Sequence, residues 1–500
     1  MTELIAQWQR YKMFPYEREL ALKEVSAKLK PSRVTEEPHA VRILTSSTLE
    51  DARGLTYFSS VSDGTSEQRT YQALIESSAQ NGDKSNRQAT RYSVHGIHEY
   101  KGKFNPQVAH ALLNILKVPR DGFVLDPFCG SGTTLIECAH SHINGVGTDI
   151  NPLAAFVATA KLDALNVSIK ELEASILNTS TFQPPRKSKK TSRVDVDGRS
   201  VYLSHWFPAD TLAEIELLRE QIGQEKNIKV RRILSVVASD LLRDFSLQEP
   251  LDLRIRRRKA PPAYLPFHHS YKEKAEKLLE RVKQSRKVMR SAGESKAINC
   301  DSTGLLKQTG LPTFDGVICS PPYATALPYI DTQRLSLVWL GLVAPEGLAS
   351  LQADLIGSRE FGPAQRPDTI IRMKNNLGLL PPDLHKWCTS LQERLSDKDG
   401  FRRQAMPVLL YRYFENMRKV FCGMKGHLKR GAHVALVVGH NHTTLGGTRI
   451  DIDTPGLLAQ LAEHTGYGSI ERMPLQAYQR YGMHQRNAVA KEEILFFRKR

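Results

Sequence analysis

The sequence lacks any long apolar run, and no window approaches the roughly 18 uninterrupted apolar residues that a membrane-spanning helix needs. Its first residues, MTELIAQWQRYKMF, contain no apolar core of a signal peptide. Cysteine is also scarce: the six residues are scattered and form no CxxC pair, which argues against a disulfide framework or a zinc ribbon. These absences predict a soluble, cytoplasmic protein in a reducing compartment, and no metal site is predicted.

Acidic residues are in deficit, with 53 against 70 basic ones and a net charge of +17 over 500 residues. Such an excess of positive charge favours a polyanionic partner, with nucleic acid ahead of an anionic membrane surface. The densest basic cluster consists of Arg254, Arg256, Arg257, Arg258 and Lys259. We predict that it binds nucleic-acid phosphates, which would fix position without reading base sequence. A solvated charged face is the alternative.

Apolar runs alternate with helical patterns in the first half of the chain. Residues 122–126 form a short apolar run that enters a glycine turn, and residues 133–139 follow with helical spacing. A second apolar run at 145–150 precedes Asn151 and Pro152, a typical helix start. This order predicts a parallel, doubly wound α/β sheet. Further strand patterns occur at 296–300, 314–319, 433–438 and 492–497.

Changes in pattern divide the chain into six predicted segments. An N-terminal extension at 1–90 is expected to be partly disordered, with poor order from Thr45 to Ser85. The sheet domain is expected in three parts, at 91–165, 293–344 and 406–500. Between these parts lie a mostly helical insert at 166–292 and an irregular insert at 345–405, both candidates for target recognition.

The motif DPFCGSGTT (126–134) lies between a predicted strand and a predicted helix, where glycines let a ligand approach free backbone amides. It is not a dinucleotide fingerprint, because Leu135 stands at the third glycine position, nor a phosphate loop, because no lysine follows. A carboxylate at Asp126 would repel phosphate but suit an ammonium group, which points to a zwitterionic ligand such as S-adenosylmethionine. Asp149, at the end of the next strand, is suited to accept both ribose hydroxyls.

The motif SPPY, which consists of Ser320, Pro321, Pro322 and Tyr323, follows the predicted strand 314–319 directly. The two prolines fix φ and remove two N–H donors, so the neighbouring carbonyls are held rigidly. Ser320 and the Pro321 carbonyl are suited to accept hydrogen bonds from an exocyclic NH₂ group, and Tyr323 to stack on the attached ring. A base in a duplex must be flipped out of the helix to reach such a pocket.

With both motifs present, each after a predicted strand, the chain resembles the DNA amino-methyltransferases, which methylate cytosine-N4 or adenine-N6. The resemblance implies a Rossmann-like fold and S-adenosylmethionine as the methyl donor. It also identifies HEYKGKFNP (98–106), GTDIN (147–151) and CDS (300–302) as weaker family matches. The predicted donor-binding residues are then Lys103, Phe104, Asp126, Pro127, Phe128, Gly130, Ser131, Gly132, Thr133, Asp149, Ile150 and Asp301.

The first residue of SPPY is serine, which is frequent in cytosine-N4 members of the family, whereas adenine members usually carry Asp or Asn. We therefore expect a site-specific DNA methyltransferase, with cytosine-N4 ahead of adenine-N6. The family also implies a place in restriction–modification and a cognate restriction endonuclease. An RNA amino-methyltransferase and a non-catalytic, donor-binding nucleic-acid subunit are the alternatives.

Overall fold

The computed structural model of the chain describes residues 1–77, 88–180, 197–260, 262, 265–289, 293–325, 329–362, 364–476 and 491–500. The chain begins with a five-stranded antiparallel sheet in the order β2-β3-β1-β4-β5. Its strands are β1 (Thr2–Trp8), β2 (Arg33–Glu36), β3 (Ala40–Thr45), β4 (Phe58–Ser62) and β5 (Glu67–Arg69). Its helices are α1 (Pro15–Leu29), α2 (Leu49–Arg53) and α3 (Tyr71–Ser77).

The prediction of poor order from Thr45 onward is wrong for the residues up to Ser77, which form α2, β4, β5 and α3. The polar side chains there make turns and caps: the Thr48 hydroxyl accepts from the Asp51 amide at 3.1 Å. The Asp63 carboxylate accepts from the Ser66 amide at 2.9 Å. Serine and threonine that cap helices and turns raise polarity without preventing folding. The rest of the predicted disordered stretch, 78–85, lies outside the described residues.

A seven-stranded sheet in the order β13-β14-β10-β9-β6-β7-β8 forms the centre of the chain. Five strands are parallel neighbours, and β14 runs antiparallel to both β10 and β13. These strands, with the hairpin β11–β12, are β6 (Phe123–Asp126), β7 (Asn144–Asp149), β8 (Ser295–Asn299), β9 (Phe314–Cys319), β10 (Leu428–Gly439), β11 (Asn441–Leu445), β12 (Thr448–Ile452), β13 (Tyr467–Gln476) and β14 (Lys491–Lys499).

The strand order reverses at β6. From β6 the chain proceeds outward on one side through β7 and β8, and then returns to build β9, β10 and the hairpin β13–β14 on the other side. The crevice between β6 and β9, at the carboxyl ends of the strands, is therefore the switch point at which such sheets bind ligands. Both motifs singled out in the sequence begin there, because DPFCGSGTT follows β6 and SPPY follows β9.

Helices cover both faces of this sheet. They are α4 (Pro106–Ile115), α5 (Thr133–His140), α6 (Pro152–Asn166), α7 (Ile169–Ser180), α8 (Gly198–Ser204), α9 (Ala209–Gly223), α10 (Ile228–Ser239), α11 (Leu242–Phe245), α12 (Phe267–Val288), α13 (Tyr329–Trp339), α14 (Leu348–Asp354), α15 (Gln365–Lys374), α16 (Pro382–Glu393), α17 (Phe401–Gln404), α18 (Met406–His427) and α19 (Thr454–His464), with short 3₁₀ turns at Ser302–Lys307 and Pro345–Gly347. Asn151 caps α6 by accepting from the Leu153 amide at 3.0 Å, with Pro152 at the first helical position, as predicted.

Two groups of these helices lie in the predicted inserts. In the described part of 166–292, helices α7 to α12 pack with α6 and α13 around one apolar core. The segment expected to be irregular, 345–405, contains the four helices α14 to α17 joined by loops, and α15 and α16 pack on α18. Its prolines and glycines, Pro345, Gly357, Gly362, Pro381 and Gly400, fall between or at the starts of these helices. The strong turn signals obscured the short helical patterns between them.

In the part of the chain that the structure describes, no single helix is long and apolar enough to cross a membrane; only the bent pair α6 and α7 passes a length and composition test, when taken together.

Candidate active site

Loops from several strand ends line an open cleft beside the switch point, with about 850 Å³ of empty space that includes part of the surrounding solvent. Eleven of the predicted site residues line it: Lys103, Phe104, Phe128, Gly130, Ser131, Thr133, Asp149, Ile150, Asp301, Ser320 and Pro322. Residues of both sequence motifs therefore share one cavity. Five of the predicted donor-binding and catalytic residues are not among its lining: Asp126, Pro127, Gly132, Pro321 and Tyr323.

The loop after β6 is fixed to the end of β7 by one carboxylate. Asp149 Oδ2 accepts from the Gly130 amide at 3.0 Å, and its Oδ1 accepts from the Asn151 amide at 2.9 Å. Gly130 has φ +48°, and a Cβ there would lie 3.1 Å from the Tyr100 ring, so conformation and space both favour glycine. Burial raises the pKa of Asp149 to about 6. The carboxylate thus faces the cleft with two backbone donors already holding it in place.

Ser131, in the same loop, has a hydroxyl oxygen that is buried and has no hydrogen-bond partner among the described residues. Its backbone carbonyl accepts from Lys161 Nζ at 3.0 Å. Lys161 is fully buried on α6, and burial lowers its pKa well below the ordinary value. An unpaired buried hydroxyl costs free energy unless a partner is supplied. The loop therefore fits a polar ligand that would complete this hydrogen bond.

Asp126 lies behind the cleft instead of facing it. The carboxyl group is 1% exposed, and Oδ1 accepts from the Phe128 amide at 3.0 Å. Burial raises the pKa of Asp126 to about 7, against lowering by the hydrogen bonds of Thr134 and Phe128. Asp126 therefore does not line the cleft, where the predicted contact with a ligand ammonium group would form. Its observed contacts fix the turn that carries Phe128 and Gly130.

The SPPY loop is held by hydrogen bonds on both sides. Ser320 Oγ donates to the Val437 carbonyl of β10 at 3.0 Å, and the Tyr323 hydroxyl donates to Glu492 of β14 at 2.5 Å. Two residues beyond the motif, the Thr325 hydroxyl accepts from the Asn441 side chain at 2.7 Å. The Thr325 carbonyl accepts from Arg359 Nε at 3.1 Å. The loop is therefore positioned before any substrate arrives.

Lys103 and Phe104 line the cleft on the side of the segment that precedes α4. Lys103 Nζ donates to the carbonyls of Thr90 and His95, at 3.3 and 3.4 Å. Burial lowers the pKa of Lys103 to about 7, partly offset by the charge of Glu137. The lysine is thus partly buried beside the donor loop, where burial favours its neutral form more than at the protein surface.

Behind Lys103 lies a buried network centred on Glu137 of α5. Its Oε1 accepts from the Tyr92 hydroxyl at 2.8 Å and lies 2.6 Å from His95 Nε2, while Oε2 lies 3.0 Å from His110 Nδ1. Burial alone would raise the pKa of Glu137, but His140 and His110 outweigh it and hold the pKa well below its usual range. Ligand atoms of Glu137, His95 and His140 lie within 4.8 Å of one another. However, two ligands of one tetrahedral zinc ion lie about 3.3 Å apart, so the 2.6 Å contact is that of a hydrogen bond.

Asp301 lines the cleft and also caps the following 3₁₀ turn, where its carboxylate accepts from the Thr303 amide at 2.9 Å. Both interpretations of this residue, ligand contact and turn cap, therefore fit its position.

Cys129 also lines the cleft, and burial raises the pKa of its thiol well above the ordinary value. A thiol held neutral in this way agrees with the prediction that it packs and does not act as a nucleophile.

The predicted basic cluster lies outside the cleft lining, and its five members differ. Arg254, Arg256, Arg257 and Lys259 are exposed. Arg258 is partly buried and donates to the carbonyls of Gln248 and Asp244 at 3.0 and 2.5 Å. Arg256 lies 3.7 Å from the Asp252 carboxylate. The exposed members are accessible to phosphates, whereas Arg258 stabilises the loop that carries it through its two hydrogen bonds.

Several cleft residues were missed in the sequence: Tyr100, Asn151, Tyr329, Asp354 and Ile356. Tyr100 belongs to HEYKGKFNP, so that motif contained the signal and only its lysine and phenylalanine were chosen. Asn151 was taken only as a helix cap, although its side-chain amide also donates to Gln333 at 2.5 Å. The residues around Asp354 come from the second insert and had no sequence signal, because only folding brings α14 to this edge of the sheet.

The sheet order, its antiparallel strand β14 and the glycine loop at the switch point define a Rossmann-like methyltransferase fold, the predicted class, with S-adenosylmethionine as its cofactor. Comparison with known proteins narrows this class. Residues 21–159 match a family model described as DNA methylase. The type II methyltransferase M.MjaII of Methanocaldococcus jannaschii is 42% identical over 86 residues, 17% of this chain and 16% of that protein. The type II methyltransferase M.MvaI of Kocuria varians is 25% identical over 271 residues, 51% of this chain and 59% of that protein.

Among solved structures, TrmN from Thermus thermophilus is similar with a TM-score of 0.33 and 11% identity, at full coverage of both chains. The family model and the two curated relatives confirm the resemblance predicted from the two motifs, to the DNA amino-methyltransferases. The matched regions span less than two thirds of either curated relative.

Proposed function

We propose that this protein transfers a methyl group from S-adenosylmethionine to an exocyclic amine of a base in DNA, with cytosine-N4 ahead of adenine-N6. The observation that carries the proposal is the shared cleft: Ser320 and Pro322 of SPPY line the same cavity as Gly130 and Asp149 of the donor loop. The loop with the proposed amine acceptor and the loop with the proposed donor-binding residues thus lie at the same edge of the sheet. The match to a family model described as DNA methylase supports DNA as the substrate, together with the similarity to type II methyltransferases.

The residues of the cleft fit the donor. Asp149 offers carboxylate lone pairs to the ribose hydroxyls, Ser131 offers an unpaired buried hydroxyl, and Lys103 offers an amino group that a bound methionine carboxylate would keep protonated. The rings of Phe104 and Phe128 supply apolar walls, and Asp301 lies at the same cavity. When bound, S-adenosylmethionine supplies an electrophilic methyl group on a sulfonium.

Ser320 and the Pro321 carbonyl would act on the amine. An exocyclic amine is a poor nucleophile because its lone pair is delocalised into the ring. Two acceptors placed at its N–H groups would draw the nitrogen toward sp³ geometry and concentrate that lone pair. Of these two groups, Ser320 lines the cleft and is hydrogen-bonded to Val437, which supports its part in the proposal, whereas Pro321 does not line the cleft. Tyr323 would stack on the ring while its hydroxyl stays on Glu492.

The base would have to leave the duplex to reach this depth, so we include base flipping in the proposal. The names of the relatives, type II methyltransferases, support a place in restriction–modification with a cognate endonuclease, and the predicted cytoplasmic location belongs to the same proposal.

The test is methyl transfer from labelled S-adenosylmethionine to unmethylated plasmid DNA and, in parallel, to total RNA, followed by digestion and mass spectrometry of the nucleosides. Label as N4-methylcytosine in DNA would support the full proposal, and label as N6-methyladenine would correct the base. Label found only in RNA would overturn DNA as the substrate. The Ser320→Ala variant serves as the control that ties any label to this site.

A further inference from the structure

One exposed aromatic side chain has no role in the site described so far. Phe401, the first residue of α17, is 74% exposed, and it is the one phenylalanine or tryptophan in the described parts of the chain that lies mostly in solvent. A large apolar ring left in water is unusual, because burying it elsewhere would stabilise the fold. An isolated exposed ring needs a second observation before it indicates a ligand.

The turn that presents Phe401 is held by several hydrogen bonds. Asp399, just before it, is 6% exposed, and its Oδ2 accepts from the amides of Ser396 and Gly446 at 3.0 and 2.7 Å. Gln404, at the end of α17, donates to the Ser396 carbonyl at 2.9 Å. These hydrogen bonds fix the turn, so the ring of Phe401 has a defined position at the surface.

The second observation is positive charge around the ring. The guanidinium carbon of Arg366 lies 5.0 Å from the centroid of the Phe401 ring. Arg402 and Arg403 follow Phe401 directly and are exposed, with Arg403 3.7 Å from the Asp399 carboxylate, and Lys398 lies three residues before Phe401. Cations around an aromatic ring match a partner that combines phosphates with flat apolar faces, which is the composition of nucleic acid.

The third observation links this turn to the SPPY loop. Helix α17 packs against β11, whose Asn441 side chain donates to the Thr325 hydroxyl. Arg359 donates to the Thr325 carbonyl, and the pKa of Arg359 is lowered by burial and then by the charges of Arg254 and Arg402. Arg254 of the first insert and Arg402 of the second therefore act on the same residue, next to the catalytic loop.

We propose that Phe401 is a wedge that enters the base stack of duplex DNA beside the flipped base, with Arg402 and Arg403 on the flanking phosphates. Proteins insert apolar side chains between base steps in this way, and such a ring offsets the stacking lost when a base leaves the helix. The inference rests on the proposed DNA methyltransferase function and adds the residue that would open the duplex.

The experiment compares wild-type protein with Phe401→Ala, Phe401→Trp and Ile228→Ala, the last a control at another exposed apolar residue, 56% exposed on α10. The readout is the initial rate of labelled methyl transfer to native plasmid DNA at subsaturating concentration. The same DNA after heat denaturation is the second substrate, and calorimetric binding of S-adenosylmethionine checks the donor site.

We expect Phe401→Ala to slow transfer to native DNA at least tenfold, with unchanged donor affinity and melting temperature. Phe401→Trp and Ile228→Ala should stay within threefold of wild type. On denatured DNA, where no duplex must open, the Phe401→Ala loss should shrink to threefold or less. A Phe401→Ala rate equal to wild type on native DNA would overturn the wedge, as would an equal loss on both substrates. A wild-type protein that methylates no DNA would instead refute the proposed function, and the wedge with it.

Discussion

Ser320 Oγ donates a hydrogen bond to the backbone carbonyl of Val437, with 3.0 Å between the two oxygen atoms. Ser320 directly follows β9 and Val437 lies in the neighbouring parallel strand β10, so the bond fastens the motif to the sheet. A serine hydroxyl that donates its one proton keeps lone pairs that can accept from an N–H group. This contact supports the proposed role of Ser320 as an acceptor in amine methylation.

Replacing Ser320 with alanine removes this acceptor. In the proposed reaction we expect methyl transfer to fall by about 100-fold or more, the effect of losing one preorganised hydrogen bond at a reacting group, while donor affinity changes less than twofold. Initial rates and calorimetric donor binding measure both. Ser336→Ala is the matched control, because that hydroxyl also donates to a backbone carbonyl, of Ser239, but does not line the cleft. Full activity of Ser320→Ala would remove the residue from the mechanism.

Donor binding should depend on the ionisation of Asp149. Its carboxylate form accepts hydroxyl donors, and burial raises its pKa to about 6. Donor affinity should therefore weaken about tenfold per pH unit below pH 6, and loss of the Lys103 proton, whose pKa is about 7, should weaken it separately above pH 7. Titration calorimetry from pH 5 to 8 measures this dependence. Asp149→Asn should bind weakly at pH 8 and lose the acid limb, and a flat wild-type profile would exclude Asp149 as the ribose acceptor.

Asp126 is predicted to lower stability at neutral pH. Burial raises its pKa from 3.8 to about 7, so the folded state holds a proton that the unfolded state releases between those values. The free energy of unfolding therefore falls as pH rises through this window. Asp126→Asn should raise it by about 1–3 kcal/mol at pH 8 and by much less at pH 5. Denaturant unfolding at the two pH values tests this, and equal stability of variant and wild type at pH 8 would contradict it.

The buried Glu137 should be essential for folding stability. Its charge balances His110, whose pKa is raised, since the hydrogen bond and charge of Glu137 outweigh the lowering by burial. Glu137→Gln removes the carboxylate that favours the protonated form of His110 and weakens the buried hydrogen-bond network, so it should cost about 3–5 kcal/mol. His110→Gln in the same chain should restore part of the loss. A double-mutant cycle by urea unfolding measures the coupling, and strictly additive effects would show that the two residues do not form an ion pair.

The members of the basic cluster should separate by role. Arg256→Ala and Arg257→Ala should each weaken DNA binding and reduce the slope of its salt dependence by about one. Arg258→Ala should instead lower the melting temperature, because its guanidinium holds the carbonyls of Gln248 and Asp244. Fluorescence anisotropy with a 30-bp duplex over a salt series, alongside thermal unfolding, distinguishes the two. An unchanged salt slope for Arg256→Ala and Arg257→Ala would assign them to a solvated face.

The sequence by itself determined the centre of this protein. Strands β6, β7, β9, β10 and β14 agree with predicted apolar runs, and both motifs lie at strand ends as expected. These features are local: an apolar run of strand length, a glycine turn and a proline pair each impose their conformation within a few residues. Some cleft-lining residues followed from these two motifs, whereas Lys103, Phe104 and Asp301 came from the family resemblance.

Only the tertiary structure decided which residues face the cleft and which support it. Asp126 and Asp149 both end strands, yet Asp126 is buried behind its loop and Asp149 lines the cavity, a difference of side-chain direction that sequence spacing does not encode. The N-terminal sheet was missed because its short antiparallel strands are paired across long sequence distances. Asp354 and Phe401 reach their places through the packing of the second insert on α18 and β11. Such positions depend on contacts between segments far apart in the chain, which no local pattern records.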